Sequence, residues 1–315
     1  MLTRHPALEV VNLDALTYAG NPRNLEDVAD DPRYRFVHGS IADREAIAEA
    51  ADGADAIVNF AAETHVDRSI HAGTEFVTTN VLGPMALLDW MREHGGRLVH
   101  VSTDEVYGDI EPGEASKEGD ALRPSSPYSA AKAGGDLQVL ASVRTYGVDA
   151  LITRGSNTYG PYQYPEKMIP LFATNLLDGQ PVPVYGDGRQ ARDFIWVEDH
   201  CAGIELVLDQ GAAGEIYNVG GGHEIENVET TRRLLELTGR DETLIQHVAD
   251  RPGHDRRYAL DCSKLRGLGW APETSFADGL GRTVAWYRER RDWWEPIKRG
   301  DVFEAYSARQ YGART

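Results

Sequence analysis

Cysteine is nearly absent from this 315-residue chain. The two present, Cys201 and Cys262, cannot build a disulfide framework, and their spacing matches no zinc motif. A reducing cytoplasm is therefore the expected compartment, and no metal is expected. No apolar run approaches the roughly 18 residues of a membrane span. The opening Met1-Leu2-Thr3-Arg4-His5-Pro6 lacks the apolar segment of a signal peptide. Lysine is scarce too, with 27 Arg and five Lys among the 32 basic residues. Against 50 acids these leave a formal charge of −18. That balance excludes a general nucleic-acid or membrane-surface binder, which needs a basic face, but leaves room for a local basic pocket for a phosphorylated metabolite.

What is present is a soluble-type composition, 41% apolar and 26% charged, able to bury a sizeable core. The first half alternates between two periodicities. Short buried strands read at 9–13, 34–38, 56–60, 97–102 and 149–153, separated by helical patterns at 43–51, 74–93 and 126–146. Such alternation predicts βαβ units and a mostly parallel sheet. Beyond Pro161 the rhythm loosens into turn-rich stretches such as Tyr185-Gly186-Asp187-Gly188-Arg189, and amphipathic segments return at 228–238 and 276–291. The expected fold is α/β, a Rossmann-like doubly wound parallel sheet over residues 1–160 with a smaller C-terminal α/β substrate domain over 161–315. Some later segments are expected to cross back to the first.

A dinucleotide-binding domain ordinarily opens with a strand, a Gly-rich turn and a helix whose N-terminus holds the pyrophosphate. No G-x-G-x-x-G or spaced-glycine variant precedes Asp14. Three later features carry chemistry. Asp14 closes what reads as the second strand of such a domain; in a dinucleotide fold an acid there bonds the adenosine ribose and disfavours a 2′-phosphate, although an Asp in that place is also a common turn starter. Thr103-Asp104-Glu105 follows a buried strand, at the sheet edge where parallel sheets place ligands. Adjacent carboxylates in unlike surroundings can divide into an acid and a base, whereas in so acidic a chain they can also be a solvated loop. Tyr128 and Lys132 stand four apart at a helix start, sharing a face, where an ammonium stabilises a phenolate. With 14 Tyr in the chain, that spacing alone is a weak signal. Arg192 and Arg251 lie in turn-rich contexts suited to phosphate contact.

With Thr103-Asp104-Glu105 and Tyr128-x-x-x-Lys132 together, the chain resembles the extended short-chain dehydrogenase/reductases, and within them the dTDP-glucose 4,6-dehydratases. The likeness runs through Asp14-Ala15-Leu16-Thr17-Tyr18-Ala19-Gly20-Asn21, Ala61-Ala62-Glu63-Thr64-His65-Val66-Asp67-Arg68-Ser69, Ser102 to Gly108, Tyr159-Gly160-Pro161-Tyr162, Tyr185-Gly186-Asp187-Gly188 and Arg251 to Tyr258. The resemblance implies NAD as cofactor and a dTDP-sugar as substrate. Tyr128, its pKa lowered by Lys132 and NAD, would take the 4-hydroxyl proton with help from Thr103; Glu105 would take the C5 proton and Asp104 would protonate the leaving 6-hydroxyl. Asp14, Leu16, Thr17 and Ile41 would line the adenosine pocket, with Ala61 and Ala62 close to the cofactor. Asn157, Glu166, Lys167, Arg192, Asn218 and Arg251 would hold the nucleotide sugar, the arginines on its diphosphate. Family members are homodimers joined through two long helices per subunit, here the patterns at 74–93 and 126–146.

The chain departs from the family pattern in three ways. The opening strand and Gly-rich turn are missing, and we read Met1 as an internal methionine of the first helix; a chain without that unit is expected to bind NAD poorly. Ser40 stands where the family usually has an acid, and Thr158 where it usually has Asn. Related epimerases and decarboxylases share Tyr-x-x-x-Lys, but not the acid at Asp104 that a dehydration requires. A UDP-glucose 4,6-dehydratase and a non-enzymatic nucleotide-sugar binder remain as alternatives.

Overall fold

A computed structural model of the protein describes residues 1–312. The first half alternates as its periodicity predicts. β1 (Val10–Asp14) and β2 (Tyr34–His38) are followed by α1 (Arg44–Ala51), β3 (Ala56–Asn59), the single turn α2 (Val66–Ser69), α3 (Gly73–Val77) and α4 (Gly83–His94). Then come β4 (Arg97–Thr103), α5 (Pro127–Tyr146), β5 (Asp149–Gly155) and β6 (Asn157–Tyr159). The helix expected over 74–93 is interrupted by a π-helical turn at Thr78–Leu82, a local widening that often accompanies functional sites.

The second half carries α6 (Met168–Leu177), β7 (Val182–Tyr185), β8 (Ala191–Trp196), α7 (Val197–Gln210), β9 (Ile216–Val219), β10 (Glu224–Glu226) and α8 (Asn227–Thr238). It ends with β11 (Ile245–Val248), α9 (Ser263–Arg266), α10 (Phe276–Glu289), α11 (Arg291–Lys298) and α12 (Asp301–Tyr311). The pattern at 276–291 thus breaks at Arg290 and continues in a new helix.

The main sheet is parallel, in the order β3-β4-β5-β9, so a strand from beyond residue 200 completes it. Its strands are buried on both faces. Along β4, Leu98 packs into one apolar cluster with Ile47, Leu87, Met91 and Val139, while its neighbour Val99 packs into another with Ile204, Val207 and Trp270. Along β5, Ala150 and Ile152 face the first cluster and Leu151 the second. This period of two with apolar residues on both sides makes the sheet doubly wound. β1 and β2 pair parallel with each other and form a separate two-stranded sheet, joined to the main one through Leu13, which packs in the cluster around Leu98. A third core gathers α6, β7, β8, α8 and α10 around Tyr159, Phe172, Trp196 and Phe276. Beside it β10-β8-β6 and β11-β7 make two small sheets.

Candidate active site

The carboxyl ends of the parallel strands supply the site, as expected of an open α/β sheet. At the end of β4 the chain tightens into a 3-10 turn, Asp104–Tyr107, capped by Thr103, whose hydroxyl accepts the Glu105 amide at 3.3 Å. The same hydroxyl donates to Asp104 Oδ1 at 3.2 Å. α5 begins with a reciprocal cap between Ser126 and Ser129 and with Pro127 in its first turn, a combination that fixes where the helix starts. Tyr128 and Lys132 are therefore set one turn apart, both buried, against the end of β4. Lys132 Nζ donates to the carbonyl of Val101 at 2.7 Å.

The two adjacent acids lie in opposite electrostatic surroundings. Burial, then Glu105 and Asp193, push Asp104 well above the usual carboxylate range. Burial also raises Glu105, but Arg251, Arg192 and Lys167 act against it. Both carboxyls are thus pushed up, Asp104 the further, which makes Asp104 the better placed proton donor of the two and Glu105 the better placed acceptor. Asp104 Oδ2 is buried with no protein partner.

For Tyr128 the protein's own groups act upward, against the direction expected of Lys132 and NAD together. Burial raises its pKa, and the fields of Glu105 and Asp104 add to that, with the Thr103 hydroxyl alone pulling down. Lys132 is itself held down to about 8 by burial, with Asp136 opposing. A desolvated ammonium committed to a backbone carbonyl is a weaker activator than the sequence spacing suggests.

Among the other expected residues, Lys167, Arg192 and Arg251 act on Glu105. Arg192 is held by the carbonyls of Ala191 and Asp255 and lies over the Tyr258 ring, 4.5 Å from its centroid. Asn157 begins β6, and its buried Oδ1 has no protein partner. The Glu166 carboxylate is turned elsewhere: Arg68 grips it at 2.8 and 3.0 Å. Asn218 does not face the site. It is fully buried, accepts from Tyr107 Oη at 2.8 Å and donates to the carbonyls of Ser116 and Asp261, so its amide is consumed in tying β9 to two loops.

On the cofactor side Asp14 ends β1 and accepts the Leu16 amide at 2.7 Å, so it is a turn starter as well as an acid at the strand end. Leu16 adopts a positive φ of 46°, rare for a branched side chain. Thr17 is exposed just beyond. Ile41 packs into the core against Gly83, where an added Cβ would lie 2.4 Å from its Cδ1. Ala61 and Ala62 follow β3, half-buried, and Asn80 of the π-helical turn holds the next residue, Glu63, through both its amide and its carbonyl at 2.9 Å. Periodicity did not single out Asn80, Asp67, Arg68 or Tyr258. The only signal for the last three was their place in the family motifs.

A doubly wound parallel sheet with Thr, Tyr and Lys at its carboxyl edge, beside a second α/β layer bearing Lys and Arg, defines an extended short-chain dehydrogenase/reductase that acts on nucleotide sugars. The family model described as GDP-mannose 4,6 dehydratase matches residues 1–283. A dTDP-glucose 4,6-dehydratase of Streptomyces niveus is 53% identical over 93% of this chain and 88% of its own. The crystal structure of DesIV, a dTDP-glucose 4,6-dehydratase from Streptomyces venezuelae with NAD and TYD bound, shares 57% identity, a TM-score of 0.91, 93% of this chain and 91% of its own. A Thermus thermophilus UDP-glucose 4-epimerase in complex with NAD matches at 30% identity and a TM-score of 0.84, over 91% of this chain and 93% of its own. The chain belongs to the nucleotide-sugar 4,6-dehydratase family of short-chain dehydrogenase/reductases, with the dTDP-glucose enzymes among its relatives.

Proposed function

We propose that the chain converts dTDP-glucose into dTDP-4-keto-6-deoxyglucose and water, with NAD as its cofactor. The observation that carries this reading is the pair Asp104–Glu105, consecutive acids beside Thr103 and Tyr128. Asp104 is raised by burial, Glu105 and Asp193 with Arg192 opposing, and Glu105, raised by burial, is acted on by Arg251, Arg192 and Lys167 with Asp255 opposing them. Dehydration needs both a proton donor and a proton acceptor at neighbouring sugar carbons, and an epimerase needs neither.

The residues present fit the two ends of NAD. Asp14 and the Leu16–Thr17 turn close the strand where an adenosine ribose would rest, and Tyr128 and Lys132 stand where the nicotinamide ribose and the sugar 4-hydroxyl would meet. When bound, NAD supplies the acceptor for the C4 hydride and its return to C6, and a positive ring charge that favours a phenolate. Tyr128 takes the 4-hydroxyl proton, with Thr103 holding that oxygen in place. Glu105 removes the C5 proton, which the 4-ketone has made acidic, and gives a proton back to C5 when the hydride is returned to C6. Asp104 donates its proton to the departing 6-hydroxyl, and water leaves. Lys167, Arg192 and Arg251 offset the charge of the nucleotide diphosphate, and Asn157 offers its free carbonyl oxygen to the sugar.

Five exposed apolar side chains support a homodimer. Val77, Leu82 and Met85 line the α3–α4 segment, and Leu137 and Tyr146 lie on α5, an unusual concentration for a solvent-facing surface. No helix among the described residues is long and apolar enough to cross a membrane, in keeping with a cytoplasmic enzyme. The division near residue 160 leaves the cofactor residues in the first part, while most residues on the nucleotide diphosphate fall in the second and Asn157 lies just before the boundary.

The decisive measurement is the mass of dTDP-glucose after incubation with this chain and NAD, with UDP-glucose in a parallel reaction. Loss of one water from dTDP-glucose is expected. Conversion of UDP-glucose alone would move the assignment to the uridine enzyme, and epimerisation without mass loss would overturn dehydration.

A further inference from the structure

Asp67 and Arg68 are neighbours on the single turn α2, in the first half of the chain, yet each is spent on a residue of the second half. Arg68 grips Glu166 and is sandwiched between the rings of Tyr18 and Tyr306, 3.7 and 4.9 Å from their centroids. Asp67 is 3% exposed, and its Oδ1 accepts from Arg251 Nη1 at 3.0 Å. Its Oδ2 accepts from Tyr185 Oη at 2.9 Å and from Tyr306 Oη at 3.4 Å. Tyr185 is fixed in turn by Gln310 of α12. Thus a carboxylate with no place in the reaction is buried under three donors, and one of them is a candidate diphosphate ligand.

The geometry at Arg251 explains why. A guanidinium offers a two-pronged edge, Nε with one Nη, that matches a phosphate. Asp67 engages Arg251 through Nη1, while Nε is buried without a protein partner. An alternative anion is within reach of its field, since Glu105 also acts on Arg251. A guanidinium released from Asp67 could turn onto Glu105 and neutralise the base.

We propose that Asp67, seconded by Tyr185, is a positioning residue for the substrate diphosphate, acting by fixing the Arg251 guanidinium through Nη1 so that its Nε edge is presented to a phosphate oxygen. This deepens the dTDP-sugar reading of the site and rests on it. Charge and orientation predict opposite signs. Deleting a buried anion should tighten the binding of an anionic ligand if charge alone mattered; if orientation matters, binding weakens.

The test is the affinity of the full chain for dTDP, measured by calorimetry, alongside kcat and KM for dTDP-glucose. Asp67→Asn should raise the Kd for dTDP and the KM about tenfold while kcat changes less than about threefold. Tyr185→Phe, which deletes one hydroxyl, should move both in the same direction by about threefold. In an Arg251→Gln background Asp67→Asn should have no further effect on Kd, because the residue it acts through is gone. Unchanged or tighter dTDP binding in Asp67→Asn, or an additive effect in the double variant, overturns the proposal. A purely structural role would lower thermal stability and leave Kd unmoved, which also overturns it. If Asp67→Asn does not fold, Tyr185→Phe decides on the same criteria. A wild-type chain that binds dTDP without converting dTDP-glucose would sink the reaction assignment and leave the Kd comparison to judge Asp67. No dTDP binding by the wild type would overturn both.

Discussion

Asp104 and Glu105 are consecutive residues of the 3-10 turn after β4 and feel different charges. Burial, Glu105 and Asp193 raise Asp104 against Arg192, whereas on Glu105 burial acts upward and Arg251, Arg192 and Lys167 act downward. Replacing the donor while keeping its shape, Asp104→Asn, should leave removal of the 4-hydroxyl proton intact and slow loss of water by about 10²–10⁴-fold. The near-ultraviolet absorbance of reduced cofactor should then accumulate during turnover; wild-type rates in this variant would remove Asp104 from the acid role. Tyr128→Phe should abolish both that absorbance and water loss, since no base remains for the first proton. A third expectation concerns stability. His200, buried behind Thr158 Oγ1 at 2.6 Å, is held down to about 4 by burial. As pH falls from about 6.5 to about 4, the unfolded chain takes up a proton that the folded chain refuses, so stability rises with pH across this window and is lost on acidification, by about 3 kcal/mol in full. Urea midpoints at about pH 7 and pH 5 should converge less for wild type than for His200→Gln, which has no such proton to bind.

Elements meet closely where side chains are smallest. α5 approaches the π-helical turn at Gly134 and Gly135, two residues that cost helix stability in isolation, each roughly 1 kcal/mol against Ala. At Gly135 a Cβ would lie 2.4 Å from the Asn80 carbonyl oxygen and 3.2 Å from His100 Nε2. At Gly134 the nearest atom is a Val81 methyl at 3.0 Å. The gain in propensity should therefore be outweighed at Gly135, where backbone cannot yield, and roughly balanced at Gly134. Thermal melts should place Gly135→Ala about 1–3 kcal/mol below wild type, and Gly134→Ala within about 1 kcal/mol of it. Because Asn80 also holds the loop after β3, Gly135→Ala should lower affinity for NAD as well.

Across the whole molecule, many contacts join the first 160 residues to the rest, among them two clusters of charged and polar side chains. Arg23 and Asn24, on the loop after β1, reach Asp292 and Trp293 of α11 at 2.6 and 2.8 Å, and the α2 turn reaches Glu166 and Arg251. Leu137 and Tyr146 of α5 are exposed, as are Val77, Leu82 and Met85 of the segment that packs on that helix. Light scattering should report a dimer of about 70 kDa, twice the 34.8 kDa chain. Leu137→Asp, which places a charge in the middle of that apolar face, should shift it towards the monomer; an unchanged mass would move the interface elsewhere.

The sequence by itself determined the local structure and the chemistry at the end of β4. Strand and helix periods placed β1 to β5 and α5 to within a residue or two. The Ser126-Pro127 start set Tyr128 and Lys132 on one face because capping and the 3.6-residue repeat are short-range properties. Three things were decided only by the tertiary structure. The return of β9 to the main sheet depends on a pairing some 65 residues apart in the chain, which no local pattern encodes. Asn218, expected from the resemblance to hold the nucleotide sugar, was spent on Tyr107 and two carbonyls, which could be seen only once those groups were brought around it. The upward pull of the protein's own groups on Tyr128 came from burial and from Glu105 and Asp104, residues the helix spacing does not bring into view. Spacing fixes which groups are neighbours along a helix, but desolvation and the sum of distant charges belong to the packed fold.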